Sequence, residues 1–416
     1  MKRKRLLSLL VSILLLCAIA FNISSCVLNV SAENLLDGIE RGSVKPLDDM
    51  TEGSVAITDF ALRMLRGSIS EENVLLSPLS IVLCLAMAEN GTAGNTRAEM
   101  EEMIGLDTDT LNRYLYTYVN SLPNSDKYKL SVANSIWIRD VAGFDVKDSF
   151  LQVNADHFDS AVYKAAFDRQ TLNDINNWVN INTDGMIPKV LETISDEEIM
   201  YLINALAFEA EWASKYEKYN VTDGIFTTES GVEQNVEMMH STEGRYLLDD
   251  NAKGFIKYYK DYKYAFAALL PNEGVSIAEY ISSLSGEDIN SMLHNAEGAT
   301  VEVAIPKFKT EYSSELSKLL AELGMTDAFN PELADFSELG SVEGGHLYVG
   351  KVIHKTYIEL GEQGTRAGAV TSMGLCGSAG PPDEIKTVTL DRPFVYMLID
   401  CENNLPFFIG AQMEIK

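Results

Sequence analysis

The sequence is poor in the residues from which catalytic and metal centres are usually built. Only five histidines occur in 416 residues, and none lies in a His-Glu-x-x-His arrangement or at a zinc-like spacing from cysteine. A phosphate-binding glycine loop and a dinucleotide fingerprint are also missing from the sequence. The composition therefore gives no support to a metalloenzyme or a nucleotide-dependent enzyme, and it predicts no cofactor.

Cysteine is scarce as well, and its five positions do not form a disulfide framework. Cys17 and Cys26 lie in or just after an apolar leader, and Cys84 lies on an apolar helix, where a small buried hydrophobe is expected. Cys376 lies in a glycine-rich tract and Cys401 close to the C-terminus. We expect the Cys376 thiol to be exposed and open to oxidation.

Basic residues are few, since 33 Lys and Arg face 61 Asp and Glu and leave a formal charge of −28. A surface of this sign repels phosphate backbones, which excludes nucleic acid as a partner. Two interpretations of the acidity stay open. It could steer the protein toward basic partners, or it could only keep a secreted protein soluble.

The N-terminus predicts a secretory signal over residues 1–25. A basic start precedes an apolar run, residues 6–20, that is too short to span a membrane comfortably. Small residues offer cleavage sites after Ala20 and Ala32, whereas residues 23–26 (ISSC) resemble a bacterial lipobox that would lipidate Cys26. We expect a secreted, extracellular protein, either released or held at the cell surface as a lipoprotein. Residues 26–50 would then form a short stalk.

The remainder, residues 51–416, predicts a single domain, because no linker, repeat or low-complexity block divides it. Helical and strand-like periodicities are intermixed and the strands cluster late, which indicates the α+β class. Predicted strands include residues 130–138, 201–212, 346–360, 385–390, 393–399 and 407–409, and residues 313–323 predict a helix.

A glycine- and alanine-rich tract over residues 364–382 is the least ordinary part of the sequence. Such tracts usually join domains, but only short strands follow this one. Every second residue from Thr365 onward is small, apolar or hydroxylic, whereas Arg366 belongs to the other set. The first set could therefore enter a core if the tract became a strand, and residues 364–378 would then reach roughly 50 Å. A disordered loop tip is the alternative interpretation.

Residues 376–380 (CGSAG) come one residue short of the Gly-x-Ser-x-Gly nucleophile elbow. They also lack its strand-to-helix context, because Pro381 and Pro382 follow. We therefore interpret Ser378 as a loop residue and predict that the protein is not an enzyme. A surface hydrolase that uses Ser378 is the alternative, and it would need a partner histidine and an oxyanion hole.

Short motifs spread over most of the chain carry a family resemblance. They are residues 73–81 (NVLLSPLSI), 91–96 (GTAGNT), 176–187 (NNWVNINTDGMI), 202–208 (LINALAF), 305–308 (IPKF), 352–355 (VIHK), 362–365 (EQGT) and 388–398 (VTLDRPFVYML). In this order they resemble the serpin family of serine protease inhibitors. The resemblance implies the serpin fold, with a large central, mainly antiparallel β-sheet, smaller sheets and about eight or nine helices. It also implies an exposed reactive-centre loop over about residues 362–382.

The resemblance implies an inhibitory, secreted, bacterial serpin that acts as a monomer and a suicide substrate. A serine protease would cleave near Ser378-Ala379, fourteen positions beyond Gly364, and form an acyl-enzyme. The loop would then insert into the main sheet and trap the protease. A small residue at the bond favours elastase-like or subtilisin-like targets with a shallow specificity pocket. The alternative is a non-inhibitory serpin-fold binding protein or chaperone, for which bulky or charged hinge residues are expected.

The resemblance also assigns roles to individual residues. The hinge would comprise Glu362, Gly364, Thr365, Ala367 and Ala369. A hydrogen-bonded cluster that opens with the sheet would comprise Ser77, Ser80, Asn204 and His354, although four locally satisfied core residues would give the same sequence. Trp212 would lie near the insertion point and Lys307 would pair with Glu362. Arg366 departs from the family pattern, in which an acidic residue is common.

Overall fold

The computed structural model describes residues 30–123, 125–141, 143–158, 160–195, 198–342, 346–365 and 385–416. Within these ranges the chain forms nine α-helices and eighteen strands, which confirms the α+β class. The helices are α1 (Thr51–Ser68), α2 (Pro78–Glu89), α3 (Gly94–Ile104), α4 (Thr108–Ser121), α5 (Asp148–His157), α6 (Arg169–Asn182), α7 (Ile277–Ser283), α8 (Gly286–His294) and α9 (Ser317–Glu322).

The strands form two large sheets and one short ribbon. They are β1 (Glu33–Asn34), β2 (Val74–Leu76), β3 (Tyr128–Arg139), β4 (Asp145–Val146), β5 (Ala161–Ala165), β6 (Met200–Glu211), β7 (Val221–Thr227), β8 (Glu233–Leu248), β9 (Ala252–Tyr258), β10 (Tyr264–Pro271), β11 (Glu297–Pro306), β12 (Phe308–Glu315), β13 (Gly340–Ser341), β14 (Lys351–Gly361), β15 (Gly364–Thr365), β16 (Lys386–Thr389), β17 (Phe394–Asp400) and β18 (Leu405–Gln412). The main sheet has the order β1-β5-β3-β6-β15-β14-β12. The second sheet has the order β16-β11-β8-β9-β10-β17-β18-β2, with β7 beside β8.

The main sheet is mainly antiparallel, with parallel pairing only between β3 and β5 and between β6 and β14 among the described strands. Its central strand β6 is buried without interruption from Met200 to Phe208. Alternate side chains of β6 enter two different cores, with Leu202 and Leu206 on one face and Tyr201 and Ile203 on the other. Because both faces are covered, β6 is a continuous apolar run rather than an alternating one.

Helix α2 joins the two sheets, since it packs against β3 and β6 of the main sheet and β18 of the second. All twelve of its residues are buried. Pro78 occupies the start of the helix, where a missing N–H costs no intrahelical bond. Helix α2 is therefore a core element that the two sheets share.

The predicted helix over residues 313–323 is wrong in its first turn. Ser313 and Glu315 belong to β12 and pair with Lys355 and Ile353 of β14, and the helix begins only at Ser317. The gain from backbone pairing along the sheet edge outweighs the local helical pattern. The predicted strand over residues 346–360 likewise begins later, at Lys351.

The segment predicted as a stalk contacts the domain from residue 30 onward. Its strand β1 pairs with β5 at the edge of the main sheet, with Glu33 opposite Lys164. The Ser31 hydroxyl and the Ala32 N–H donate to the Asp174 carboxylate of α6, at 2.7 and 3.0 Å. The leader and Cys26 lie outside the described residues. Within the described ranges, no helix has both the length and the hydrophobicity that crossing a bilayer requires.

Glu89, the last residue of α2, is fully buried, and its Oε2 has no partner among the described residues. Its Oε1 lies 2.6 Å from the Thr108 hydroxyl, which lies 2.8 Å from a Glu101 carboxylate oxygen. A hydroxyl has one hydrogen, so both contacts are satisfied together only when a carboxyl carries a proton. Burial raises the pKa of Glu89 to about 7, which makes Glu89 the protonated partner.

We expect the stabilising contribution of Glu89 to fall as pH rises from about 4.5 to about 7, because the folded state binds the Glu89 proton more tightly than the unfolded chain does. The contribution is complete below this window and is lost above it, and it amounts to about 3 kcal/mol at about 1.4 kcal/mol per tenfold change in proton affinity. Urea unfolding midpoints at about pH 5 and about pH 8 measure it.

The variant Glu89→Gln should gain stability over the wild type at the higher pH and differ little at the lower one. Glu102→Gln, which changes an exposed carboxylate on α3, is the matched control and should show no such pH dependence. A stability difference for Glu89→Gln that is the same at both pH values would contradict the assignment.

Candidate functional site

The candidate site lies where β14 turns back into the main sheet. Strands β14 and β15 form a hairpin in which Leu360 faces Thr365, and residues 362–363 make the two-residue turn. On its other side β15 pairs with β6, with Thr365 opposite Ala210. The first residues of the predicted hinge are therefore already a short strand between β14 and β6.

The boundary between β6 and β14, here called the seam, is closed along one half only. Residues 201–206 of β6 pair directly and in parallel with residues 351–356 of β14. Beyond Leu206 and Thr356 the two strands no longer pair with each other, and β15 lies between their far ends. The two strands of the seam thus pair directly along one half, and along the other half they are bridged by the two residues of β15.

The two hinge residues in the seam fit it closely. Gly364 has φ of +150°, and a Cβ atom there would lie 1.9 Å from the carbonyl oxygen of Ala210, so only glycine can occupy this position. Thr365 is 1 % exposed, and its hydroxyl hydrogen-bonds with the Tyr259 hydroxyl. A small, uncharged side chain is what this buried position accepts.

Two aromatic residues after β6 hold the hairpin turn. The Trp212 indole N–H donates to the Gly361 carbonyl at 2.8 Å, and its backbone N–H donates to the Gln363 carbonyl at 2.9 Å. The backbone N–H of Tyr216 donates to the Glu362 carbonyl at 3.0 Å. Trp212 also stacks on the ring of Tyr259 at a centroid distance of 4.3 Å. The turn is therefore fixed by three hydrogen bonds from one short segment.

The predicted pair between Lys307 and Glu362 is present at the top of the seam. Lys307 Nζ lies 2.5 Å from Glu362 Oε1 and 3.1 Å from Glu237 Oε1. Burial acts to lower the pKa of Lys307, but the hydrogen bonds with the two carboxylates outweigh it and raise that pKa. For Glu362, burial acts to raise the pKa and the contact with Lys307 lowers it overall. Both groups are thus held in their charged forms.

A row of polar side chains crosses the closed half of the seam, and we call it the polar ladder. Asn134, Asn204 and His354 stand opposite one another on β3, β6 and β14. His354 Nδ1 donates to Asn204 Oδ1 at 2.7 Å, and Asn204 Nδ2 donates to Asn134 Oδ1 at 3.3 Å. The other ring nitrogen, Nε2, accepts from the Ser77 backbone N–H at 3.2 Å, which assigns the proton to Nδ1.

The structure brings together three of the four residues that the sequence assigned to a sheet-opening cluster. Ser77 joins through its backbone, not its hydroxyl, and the Ser77 and Ser80 hydroxyls are buried without a hydrogen-bond partner among the described residues. Burial lowers the pKa of His354 to about 3, so the ladder stays uncharged at neutral pH. A strand entering the seam has to break the bond between His354 and Asn204.

Four further residues of the predicted site lie outside the described part of the chain, namely Ala367, Ala369, Ser378 and Ala379. Sequence reasoning missed Asn134, Tyr216 and Tyr259. The alternation of the strand over residues 130–138 carried a signal for Asn134, because a polar residue there occupies a core-facing position. Within the described ranges, no group of three or more His, Cys, Asp or Glu side chains could hold a metal ion.

Comparison with solved structures supports the architecture over nearly the whole chain. The thermophilic serpin tengpin in the native state matches with a TM-score of 0.88 and 45% identity, over 93% of this chain and 100% of that one. Tengpin in the latent state, also 45% identical, matches with a TM-score of 0.79 over 90% of this chain and 100% of that one. The backbone of this chain is thus more similar to the native-state structure.

Comparison of sequences agrees with this comparison of structures. A leukocyte elastase inhibitor of Xenopus laevis is 30% identical over 346 residues, which cover 79% of this chain and 89% of the relative. The family model for serpins, described as serine protease inhibitors, matches residues 55–415. The fold, the hinge hairpin and these comparisons together establish that the chain belongs to the serpin family.

Proposed function

We propose that this protein inhibits serine proteases as a suicide substrate. The protease serine oxygen bonds to the carbonyl carbon of Ser378, the peptide bond to Ala379 breaks, and the proton taken from the serine passes to the new amino terminus. The ester that remains ties the protease to the loop. Insertion of the loop between β6 and β14 then carries the protease away before water can hydrolyse the ester.

The observation that carries this proposal is the position of Gly364 and Thr365. They already pair with both β14 and β6, and their direction is antiparallel to both neighbours. Each further residue that follows them into the seam would continue the same ladder. Serpin loop insertion is itself an established example of strand addition to a sheet.

Hydrogen bonding supplies a driving force for this insertion. A new central strand gains backbone bonds on each side, each worth roughly 0.5–1.5 kcal/mol net. Insertion also breaks the bond between His354 and Asn204 and the direct pairing of residues 201–206 with residues 351–356, but both strands would pair again with the new strand that lies between them. Since the alternate residues from Thr365 onward carry no charge, insertion buries no unpaired ion.

The remaining features of the proposal come from the sequence. We propose cleavage between Ser378 and Ala379 by proteases with a small primary pocket, elastase-like or subtilisin-like. Arg366 belongs to the outward-facing set, so it should stay in solvent when the loop inserts. We further propose that the protein acts as a monomer outside the cell, either released or tethered through a lipidated Cys26.

A direct test mixes the protein with an elastase-like protease and follows the products by SDS electrophoresis. The proposal predicts a denaturant-resistant band near the summed mass of the two proteins. A non-inhibitory binding protein would give no such band, and a hydrolase would turn over an ester substrate in the absence of protease. Cleavage without a band for elastase-like and subtilisin-like proteases alike would contradict the proposed inhibition.

The hinge variant Thr365→Arg should be cleaved at the wild-type rate but should form less than about a tenth of the covalent complex. Thr365 is already buried beside Tyr259 between β6 and β14, and an unpaired charge there costs several kcal/mol. The arginine would therefore expel residues 364–365, from which the inserted strand has to continue. The complex yield on SDS gels and the cleavage rate measure the two effects. Thr365→Val, which is uncharged and nearly the same size, is the control and should keep most of the complex. If Thr365→Arg formed as much covalent complex as the wild type, this result would contradict loop insertion.

The loop variant Ser378→Arg should shift inhibition toward trypsin-like proteases, whose pocket carboxylate pairs with a basic side chain. We expect at least a hundredfold change in the ratio of inhibition rates for trypsin-like and elastase-like enzymes. Ser372→Arg places the same charge elsewhere in the tract and controls for non-specific attraction. An unchanged ratio for Ser378→Arg would mean that the bond lies at another residue.

A further inference from the structure

A buried lysine lies directly beneath the segment that holds the hinge. Lys257, near the end of β9, has a side chain that is 1 % exposed. Its Nζ donates to Glu243 Oε1 of β8 at 2.8 Å and to the Ser214 carbonyl at 3.2 Å. A fully buried lysine is uncommon in proteins and is kept only where it is paired.

The same ammonium group faces the two aromatic rings that hold the hairpin turn. Lys257 Nζ lies 5.2 Å from the centroid of the Trp212 ring and 4.5 Å from that of the Tyr216 ring. Both distances are within the range of a cation–π contact, which is strengthened when the cation is out of water. The carboxylate also reaches Tyr216, because the Ser241 hydroxyl donates to Glu243 at 2.6 Å and lies 3.2 Å from the Tyr216 hydroxyl.

These contacts form a continuous path from the ion pair to the hinge. Trp212 and Tyr216 make the three backbone or side-chain bonds to the carbonyls of residues 361–363, so their positions set the position of the turn. Ser214, whose carbonyl Lys257 binds, lies between them in the chain. The ion pair thus contacts residues 212–216, and these residues in turn hold the turn between β14 and β15.

We propose that the Lys257–Glu243 pair is a positioning element that holds the turn between β14 and β15 in place while the loop enters the seam. This inference rests on the proposed inhibitory function. During insertion the chain beyond Thr365 moves, but the turn is the pivot about which it moves. A turn that shifts would misalign the incoming strand with β6, slow its pairing and give water time to hydrolyse the ester.

Stability alone does not explain why a charged pair occupies this position. The free energy that is needed to remove a lysine and a carboxylate from water is about as large as the free energy gained from their attraction. Well-packed apolar residues at such positions often stabilise a protein equally or more. What such a pair adds is a fixed geometry, because the ammonium has directional partners on several sides. The apolar pair Lys257→Met/Glu243→Leu therefore removes the directional contacts without leaving an unpaired buried charge.

The test compares this double variant with the wild type, with Lys257→Met alone, and with a control pair. The control is Lys164→Met/Asp140→Asn, which removes an ion pair of 3.1 Å beside an aromatic ring, Phe144, away from the seam. Hydrogen–deuterium exchange of a peptide spanning residues 361–365 reports the turn in the absence of protease. The stoichiometry of inhibition and the rate of loop cleavage report the reaction.

For Lys257→Met/Glu243→Leu we expect exchange at residues 361–365 to rise at least tenfold and the stoichiometry of inhibition to rise several-fold. The unfolding midpoint and the loop cleavage rate should stay close to those of the wild type, as should every readout of the control pair. Unchanged exchange and unchanged stoichiometry in the folded double variant would overturn the proposal.

The exchange measurement also separates this inference from the proposed function. If the wild type forms no covalent complex with any protease tried, the inhibitory function fails. The exchange ratio still decides whether the ion pair holds the turn, since it is measured without protease. A rise in exchange for Lys257→Met alone that the double variant lacks would also overturn the proposal, because it would show an unpaired-charge effect.

Discussion

The half-closed seam between β6 and β14 is the constraint on which the rest of the structure depends. These strands pair directly over residues 201–206 and 351–356 and then separate around a hinge strand of two residues. A β-sheet normally leaves no room inside itself, since every backbone group in its interior is already paired. In the proposed mechanism, the direct pairing between these two central strands gives way to pairing with the inserted loop. The backbone groups of β6 and β14 would then be satisfied in either arrangement.

Three sets of contacts would resist the proposed insertion. The polar ladder adds side-chain bonds to the half of the seam where β6 and β14 pair directly, and the low pKa of His354 keeps these bonds independent of ordinary pH changes. Trp212 and Tyr216 fix the turn at the open end, and the pair between Lys307 and Glu362 ties that end to the second sheet. Helix α2 is buried along its whole length and packs on both β6 of the main sheet and β18 of the second sheet.

Much of this could be predicted from the sequence, because the motifs follow serpin order and the apolar runs mark the central strands. Gly364, Thr365, Trp212, Lys307 and His354 were singled out in this way, and the structure places all five at the seam or at its open end. Long-range pairing explains what was missed. Lys257 lies in a stretch with several charged residues and resembles a surface lysine, and only the fold reveals that it is buried against Glu243. The prediction of a helix from residue 313 was wrong for the same reason, since residues 313–315 pair with the neighbouring strand β14.

The central claim is that the main sheet accepts the loop once the loop is cut. The most direct measurement is thermal unfolding of the intact protein and of the protein nicked once between residues 366 and 384 by a protease that it does not trap. Loop insertion predicts that the nicked form melts tens of degrees higher, because the inserted strand adds backbone bonds on both of its sides. An unchanged or lower melting temperature would contradict it, because a cut loop that stays outside gains no bonds.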